Sequence, residues 1–220
     1  MSEPLVIAVD GPAASGKGTL SRRIARVYGI RYLDTGKLYR GVGWMMISQG
    51  IDPTDADKAE QAAHALDPQT VDRSELLTHE AGRAASLVAA HPGVRDALLS
   101  FQRSFAAQAP GAVLDGRDIG TVICPDAPVK LFVTASTEER ARRRHKELQD
   151  QDPSLSLEAV IDQIKRRDER DQSRDAAPMK PAVDAHLLDT TSLDIDAAFA
   201  AACRVIDKAL EEDERLSIRT

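Results

Sequence analysis

The sequence is poor in cysteine: Cys124 and Cys203 are the only two in 220 residues, far apart and without metal-ligand spacing. That excludes a disulfide framework and a cysteine-rich zinc site, and it fits a reducing cytoplasm. Aromatic residues make up 4% of the chain, with a single tryptophan. A base-stacking platform of the single-strand-binding kind needs more. Positive charge is not in excess either. Lys and Arg number 29 against 35 Asp and Glu, a net charge of −6, whereas a general nucleic-acid binder is usually basic. No apolar run approaches the roughly 18–20 residues that span a bilayer. The first apolar run, residues 5–9, stops at Asp10-Gly11, too short for the core of a signal peptide. His64, His79, His91, His145, His186 and Trp44 fall into no catalytic pattern, and no nucleophile elbow is present. These residues read as surface or packing.

What remains is a chain of ordinary globular composition, 42% hydrophobic and 29% charged, of a length that suits one unit with small insertions. There is no internal repeat. Apolar runs at residues 5–9, 31–33, 112–114, 130–133 and 186–188 read as buried strands, separated by helical stretches. That alternation predicts an α/β fold around a five-stranded parallel sheet. Four of the runs lead directly into polar residues: Asp10-Gly11, Asp34-Thr35-Gly36, Asp115-Gly116-Arg117-Asp118 and Asp189-Thr190-Thr191. Open parallel sheets bind ligands beyond the carboxyl ends of their strands, so these residues share the favoured edge. Residues 36–111 are mostly helical and rich in alanine. Residues 136–178 read as a helix, a polar break at 149–156 and a second helix with an apolar stripe at Leu157, Val160, Ile161 and Ile164. A last helix, from about 195 to 212, covers the core.

The strongest motif is Gly11, Pro12, Ala13, Ala14, Ser15, Gly16, Lys17, Gly18 and Thr19, after a strand and before a helix that opens with Leu20, Ile24 and Val27. That is the context of a phosphate loop. Glycines let the backbone N–H groups wrap a phosphate, the helix N-terminus adds partial positive charge, and Lys17 adds a full one. Gly18 stands where many such loops carry Ser or Thr, and the hydroxyl comes one residue later at Thr19. This ending is associated with nucleoside monophosphate kinases, in which magnesium is held largely through water. Asp115 is placed like the acid that orients magnesium-bound water.

Other clusters are weaker alone. Thr35 and Arg40 could serve a phosphate, or a helix cap and a solvated arginine. Arg117 and Asp118 could enter a cleft or form a tight turn with a surface ion pair. Arg167, Asp171 and Arg174 are spaced for one helical face, with Arg170 on a neighbouring stripe. Charge runs of this kind are usually solvated faces. In the run Arg140, Arg142, Arg143 and Arg144, the spacing puts Arg140 and Arg144 together and predicts that Arg142 and Arg143 point elsewhere. An acidic chain with local arginine clusters suits a small anionic ligand.

Together these segments resemble the bacterial cytidylate kinase family, among the nucleoside monophosphate kinases. The matching motifs are residues 7–19, 33–40, 115–122, 166–174, 177–182 and 187–191. The resemblance runs from Leu5 to about Leu210. It implies a kinase core at about 1–35, 107–135 and 179–220, a substrate-binding insertion at about 36–106 and a lid at about 136–178. It implies ATP and CMP or dCMP as substrates, Mg2+ as cofactor, and Lys17, Arg117 and Arg174 as catalytic residues. Residues 11–19 and Arg144 would bind ATP. Arg40, Arg117 and Arg174 would hold the CMP phosphate, with Thr35 also among the CMP-binding residues; Arg167 and Asp171 would face the ribose; Ser86, Arg95 and Asp118 would read cytosine. Thr19 and Asp115 would hold the metal through water. One departure stands out: between Asp67 and Ser86 the chain is shorter than in many members, leaving room for little more than a turn and a helix start.

The rival readings are a kinase for another small acceptor and a slowly hydrolysing nucleotide switch. Arginine-rich acceptor residues favour a phosphate-bearing acceptor over the first. No guanine-reading motif supports the second. No obligate partner is indicated, and monomer is the default.

Overall fold

The computed structural model describes residues 4–71, 74–149 and 152–217. The elements run β1 (Leu5–Asp10), α1 (Lys17–Val27), β2 (Arg31–Asp34), α2 (Thr35–Ser48), α3 (Ala56–Ala65), α4 (His79–Val88), α5 (Pro92–Ala106), β3 (Gly111–Gly116), β4 (Val129–Thr134), α6 (Thr137–Leu148), α7 (Leu157–Ser173), β5 (His186–Asp189) and α8 (Ile195–Ser217). The five strands form one parallel sheet in the order β2-β3-β1-β4-β5. Each predicted strand is present and slightly longer than its apolar run, because the ladder continues into the polar end. Asp10 pairs with Gly116, Asp34 with Asp115, and Thr134 with Asp189. The sheet therefore delivers its polar residues to one edge.

The central strands are buried on both faces, as a parallel sheet requires. Ile7, Val9, Val113, Leu131 and Val133 pack with Leu20 and Ile24 of α1 and Ala202 and Ile206 of α8. Ala8, Ala112 and Leu114 face the other way, toward Ile119 and Ile123. Two further apolar clusters stand apart from the sheet. One joins α2, α3, α4 and α5 through Leu38, Val42, Met46, Ala59, Val88, Val94 and Leu98. The other is the small seam of Ala141, Val160 and Ile164 between α6 and α7. The predicted stripe on α7 is thus packing, as read.

The shortened segment holds two short 3-10 turns, Pro68–Thr70 and Ser74–Leu77, and no strand among its described residues; residues 72 and 73 lie outside the description, as do 150 and 151 of the predicted polar break. α5 opens with Pro92 in its first helical turn, where the missing N–H costs nothing.

Candidate active site

The loop after β1 is built almost wholly from backbone. Gly11 has φ +143°, and a Cβ there would sit 2.0 Å from the Val133 carbonyl oxygen. Gly16 has φ +86° and precedes α1 directly. Ala14 also has a positive φ, 59°, a conformation uncommon outside glycine and often retained at ligand-binding turns. These reversals leave the first N–H groups of α1 facing the cavity above the sheet edge. Lys17, 8% exposed, donates to the Pro12 carbonyl at 3.3 Å and lies 3.7 Å from Asp115 Oδ1. Burial and the nearby Arg117 push its amine down to about 8. Burial pushes the Asp115 carboxyl up to about 6 against the pull of Lys17. A side chain on Gly18 would meet Asp115 Oδ2 at 3.2 Å, so the glycine found where a hydroxyl is common keeps that carboxylate open to the loop.

One cavity of about 360 Å3 extends from this loop to the arginines predicted for an acceptor. Ala13, Ala14, Ser15, Gly16, Lys17, Gly18 and Thr19 line it; Gly11 and Pro12 lie behind the loop and do not. At the far end it is lined by Thr35, Arg40, Ser86, Arg95, Arg117, Asp118, Arg167, Asp171 and Arg174, the whole predicted set, together with Asp115 and Arg144.

These side chains come from several elements, and most of the carboxylates among them are paired with arginines. Arg95 ion-pairs with Asp118. Arg117 Nε donates to Asp171 Oδ2 at 3.0 Å. Arg167 Nε is 3.8 Å from the same oxygen. Ser86 Oγ donates to Asp171 Oδ1 at 3.1 Å and accepts from Arg170 Nε at 3.3 Å. Burial raises the Asp118 carboxyl even against Arg95 and Arg174. At Asp171 the order reverses: burial works upward, but Arg117, Arg167 and Arg174 hold its carboxyl below the usual range. Burial and then Arg117 push Arg167 down to about 9. Such a crowd of guanidinium groups has capacity to spare: Arg167 Nε and Arg174 Nη2 are buried without a hydrogen-bond partner. Buried donors in folded proteins are rarely left so, except where a ligand completes them.

The structure corrects two details of the sequence reading. Arg174 does not share the helical face of Arg167 and Asp171. α7 ends at Ser173, and Arg174 is extended, with Nε donating to the Ala177 carbonyl and Nη2 3.6 Å from Asp118 Oδ1. Arg143 does not point away. Its guanidinium donates to Ser15 O at 3.4 Å and to Thr190 Oγ1 and O at 3.0 and 2.7 Å. Arg140 reaches Ala13 O at 3.3 Å and pairs with Asp168 at 2.6 Å. Arg142 alone faces outward, 65% exposed beside Glu139. Spacings of three and four place residues 140, 143 and 144 on one face, and that face lies over the loop.

Some site residues were missed by sequence reasoning. Tyr39, on α2, lines the cavity with its buried hydroxyl unpartnered and Arg95 5.7 Å above its ring. Its place beside Arg40 was the only signal. Asp34, at the N-cap of α2, makes no cap bond and lines the cavity instead. Thr35 Oγ1 donates to Asp115 O at 2.8 Å, so in this state its proton serves the backbone.

A parallel sheet with a phosphate loop after its central strand and a buried aspartate after the neighbouring strand defines a P-loop nucleotide-binding protein. The family model described as Cytidylate kinase matches residues 7–208. Cytidylate kinase from Granulibacter bethesdensis is 57% identical over 202 residues, covering 92% of this chain and 96% of that one. The one from Xanthobacter autotrophicus is 58% identical over 203 residues, covering 92% and 97%. An uncharacterized protein of Eubacterium ventriosum shares the fold, with a TM-score of 0.55 at 14% identity over 92% of this chain and 98% of that one. The chain belongs to the cytidylate kinase family.

Proposed function

We propose that this chain transfers the γ-phosphoryl group of ATP to CMP, and to dCMP, giving ADP and CDP or dCDP. The observation that carries the reading is one continuous cavity with a phosphate loop at one end and, at the other, buried guanidinium nitrogens that lack a hydrogen bond. Two anions must meet there. The loop N–H groups and Lys17 take the ATP phosphates, with Arg144 above them. Arg40, Arg117 and Arg174 take the acceptor phosphate, which is planar-donor chemistry suited to arginine. Arg167 and Asp171 face the ribose, and Arg95, Asp118 and Ser86 the base. The acceptor phosphate is largely dianionic at pH 7, its second pKa lying near 6, so attack on the γ-phosphorus needs no general base. Catalysis is charge neutralisation and alignment, with Lys17, Arg117 and Arg174 offsetting charge on the transferring group.

The residues present fit a magnesium ion. The Thr19 hydroxyl and the Asp115 carboxylate line the same cavity, and hard oxygen donors suit an ion that keeps several waters. Thr19 and Asp115 would hold it, through water; the ion supplies positive charge to the ATP phosphates when bound.

The α2–α5 cluster and the α6–α7 seam, each with its own apolar core, support a substrate-binding insertion at 36–106 and a lid at 136–178 around the remaining core. Closure over both nucleotides would exclude water, and reopening would release product. Among the described residues no helix is long and apolar enough to cross a membrane. Both cysteines are free thiols, which supports a reducing cytoplasm, and the chain is expected to act as a monomer. Purified protein with ATP and magnesium should release ADP quickly when CMP is added and only slowly with ATP alone. Equal rates with and without CMP would overturn the reading.

A further inference from the structure

Asp10, at the end of β1, is 4% exposed and belongs to none of the nucleotide contacts proposed above. Both oxygens of its carboxylate are used. Oδ1 accepts from the Ile119 N–H at 2.7 Å and Oδ2 from the Gly120 N–H at 2.8 Å. Those are the first two N–H groups of a short π-helical turn, Ile119–Ile123. The opening N–H groups of any helical turn lack a partner inside it. The side chain that ordinarily meets the second or third of them belongs to the residue just before, where aspartate is among the best caps.

Here that residue is Asp118. Its backbone takes the capping position, with its carbonyl accepting from Val122 N at 2.9 Å and Ile123 N at 3.3 Å. Its side chain, however, makes no cap bond. The carboxylate is turned the other way, into the pair with Arg95 and toward Arg174. Two buried N–H groups would then stand unpaired, which is costly in a site closed to water. The Asp10 carboxylate, 109 residues away in sequence, supplies the missing acceptors.

We propose that Asp10 is a positioning residue. By capping the 119–123 turn from β1, it frees the Asp118 carboxylate to face the acceptor base. This rests on the reading that Asp118 contacts cytosine. The effect is confined to the acceptor end. The Asp10 backbone is held by its sheet partners Gly116 and Phe132, so the phosphate loop that follows does not depend on the side chain. Both carboxylate oxygens are needed. Asparagine offers one acceptor and an NH2 group, which would confront the second N–H donor to donor. In Asp10→Asn the neglected N–H competes for the Asp118 carboxylate, drawing it back onto its own turn and away from Arg95.

The test sets Asp10→Asn beside Asp118→Ala. Titration calorimetry with CMP and ATP, and kcat/KM for CMP and UMP, are measured on both and on the wild type. Asp10→Asn is expected to weaken CMP about ten-fold and to cut the CMP-to-UMP ratio about five-fold or more, with ATP affinity within about two-fold. Equal loss of CMP and ATP binding, or an unchanged ratio where Asp118→Ala collapses it, overturns the role of Asp10 alone. A ratio unchanged in Asp118→Ala overturns the base reading, and this role falls with it. Should Asp10→Asn fail to fold, amide exchange on the wild type decides. Protected 119 and 120 amides without CMP support the cap, and free exchange overturns it.

Discussion

The two ends of the cavity are built in opposite ways. The ATP end is built around one loop of nine residues, and most of its donors are backbone groups shaped by φ reversals at Gly11, Ala14 and Gly16. The acceptor end is made of side chains from α2, α4, α5, the 115–118 turn and α7, held by pairs such as Arg117–Asp171 and Arg95–Asp118. A backbone cradle is assembled once the local fold forms. A side-chain cradle depends on every partner, since removing one member leaves another buried and uncompensated. The acceptor end should therefore be the more fragile and the more selective.

The sharpest challenge to that contrast is Lys17→Ala. Lys17 is the charged side chain carried by the phosphate loop itself, and its loss should lower turnover about 100-fold or more, the scale for deleting a preorganised donor to the transferring group. Turnover read together with thermal melting checks it; near-normal turnover in a folded variant would remove the phosphate-loop assignment. Next comes Arg40→Ala. Among the described residues Arg40 donates to the Leu76 and Thr78 carbonyls; its removal should weaken CMP by about 1.5–3 kcal/mol and leave ATP unchanged. Direct titration with each nucleotide separates the two, and equal losses would erase the division between the ends.

Asp118→Ala addresses selectivity. Cytosine presents an amino donor where uracil presents an oxygen, so the carboxylate should favour CMP over UMP by about 1–3 kcal/mol. The variant should lose most CMP activity and narrow the kcat/KM ratio; a constant ratio would move selectivity to Arg95 or Ser86. A smaller effect is expected from Arg143→Ala, about 1 kcal/mol on ATP binding and none on CMP, since Arg143 braces Ser15 and Thr190. Arg142→Ala should change stability by no more than about 0.5 kcal/mol, as an outward surface residue. A larger shift in melting would mean that the face of α6 is misassigned.

Legibility in the sequence follows the same division. The strands were readable because burial on both faces demands continuous apolar runs, and the loop because its donors are consecutive. Arg117 was ambiguous because a tight turn with a surface ion pair reads the same, and Arg167 and Arg174 because an arginine helix is most often a solvated face; the pairing of Arg117 with Asp171 across 54 positions brings the turn and the helix together. Arg143 was misread because its partner, Thr190, is 47 residues away and no local pattern announces it. Tyr39 was overlooked because an aromatic at helical spacing reads as core, and half of it is.

The glycines of α2 have a mechanical meaning. A Cβ on Gly43 would come within 2.7 Å of Ala84, and one on Gly41 within 2.8 Å of Leu66. The absence of side chains lets α2 lie directly on α4, and Leu98 and Val94 of α5 lock onto the same cluster. α2 starts directly after the last residue of β2 and is pinned there by the bond from Thr35 to the Asp115 carbonyl. Together they form a lever with a fixed fulcrum. Any swing of that lever carries Arg40, Ser86 and Arg95 along the same arc, so the residues proposed for the acceptor's phosphate and for its base would close on it in one stroke.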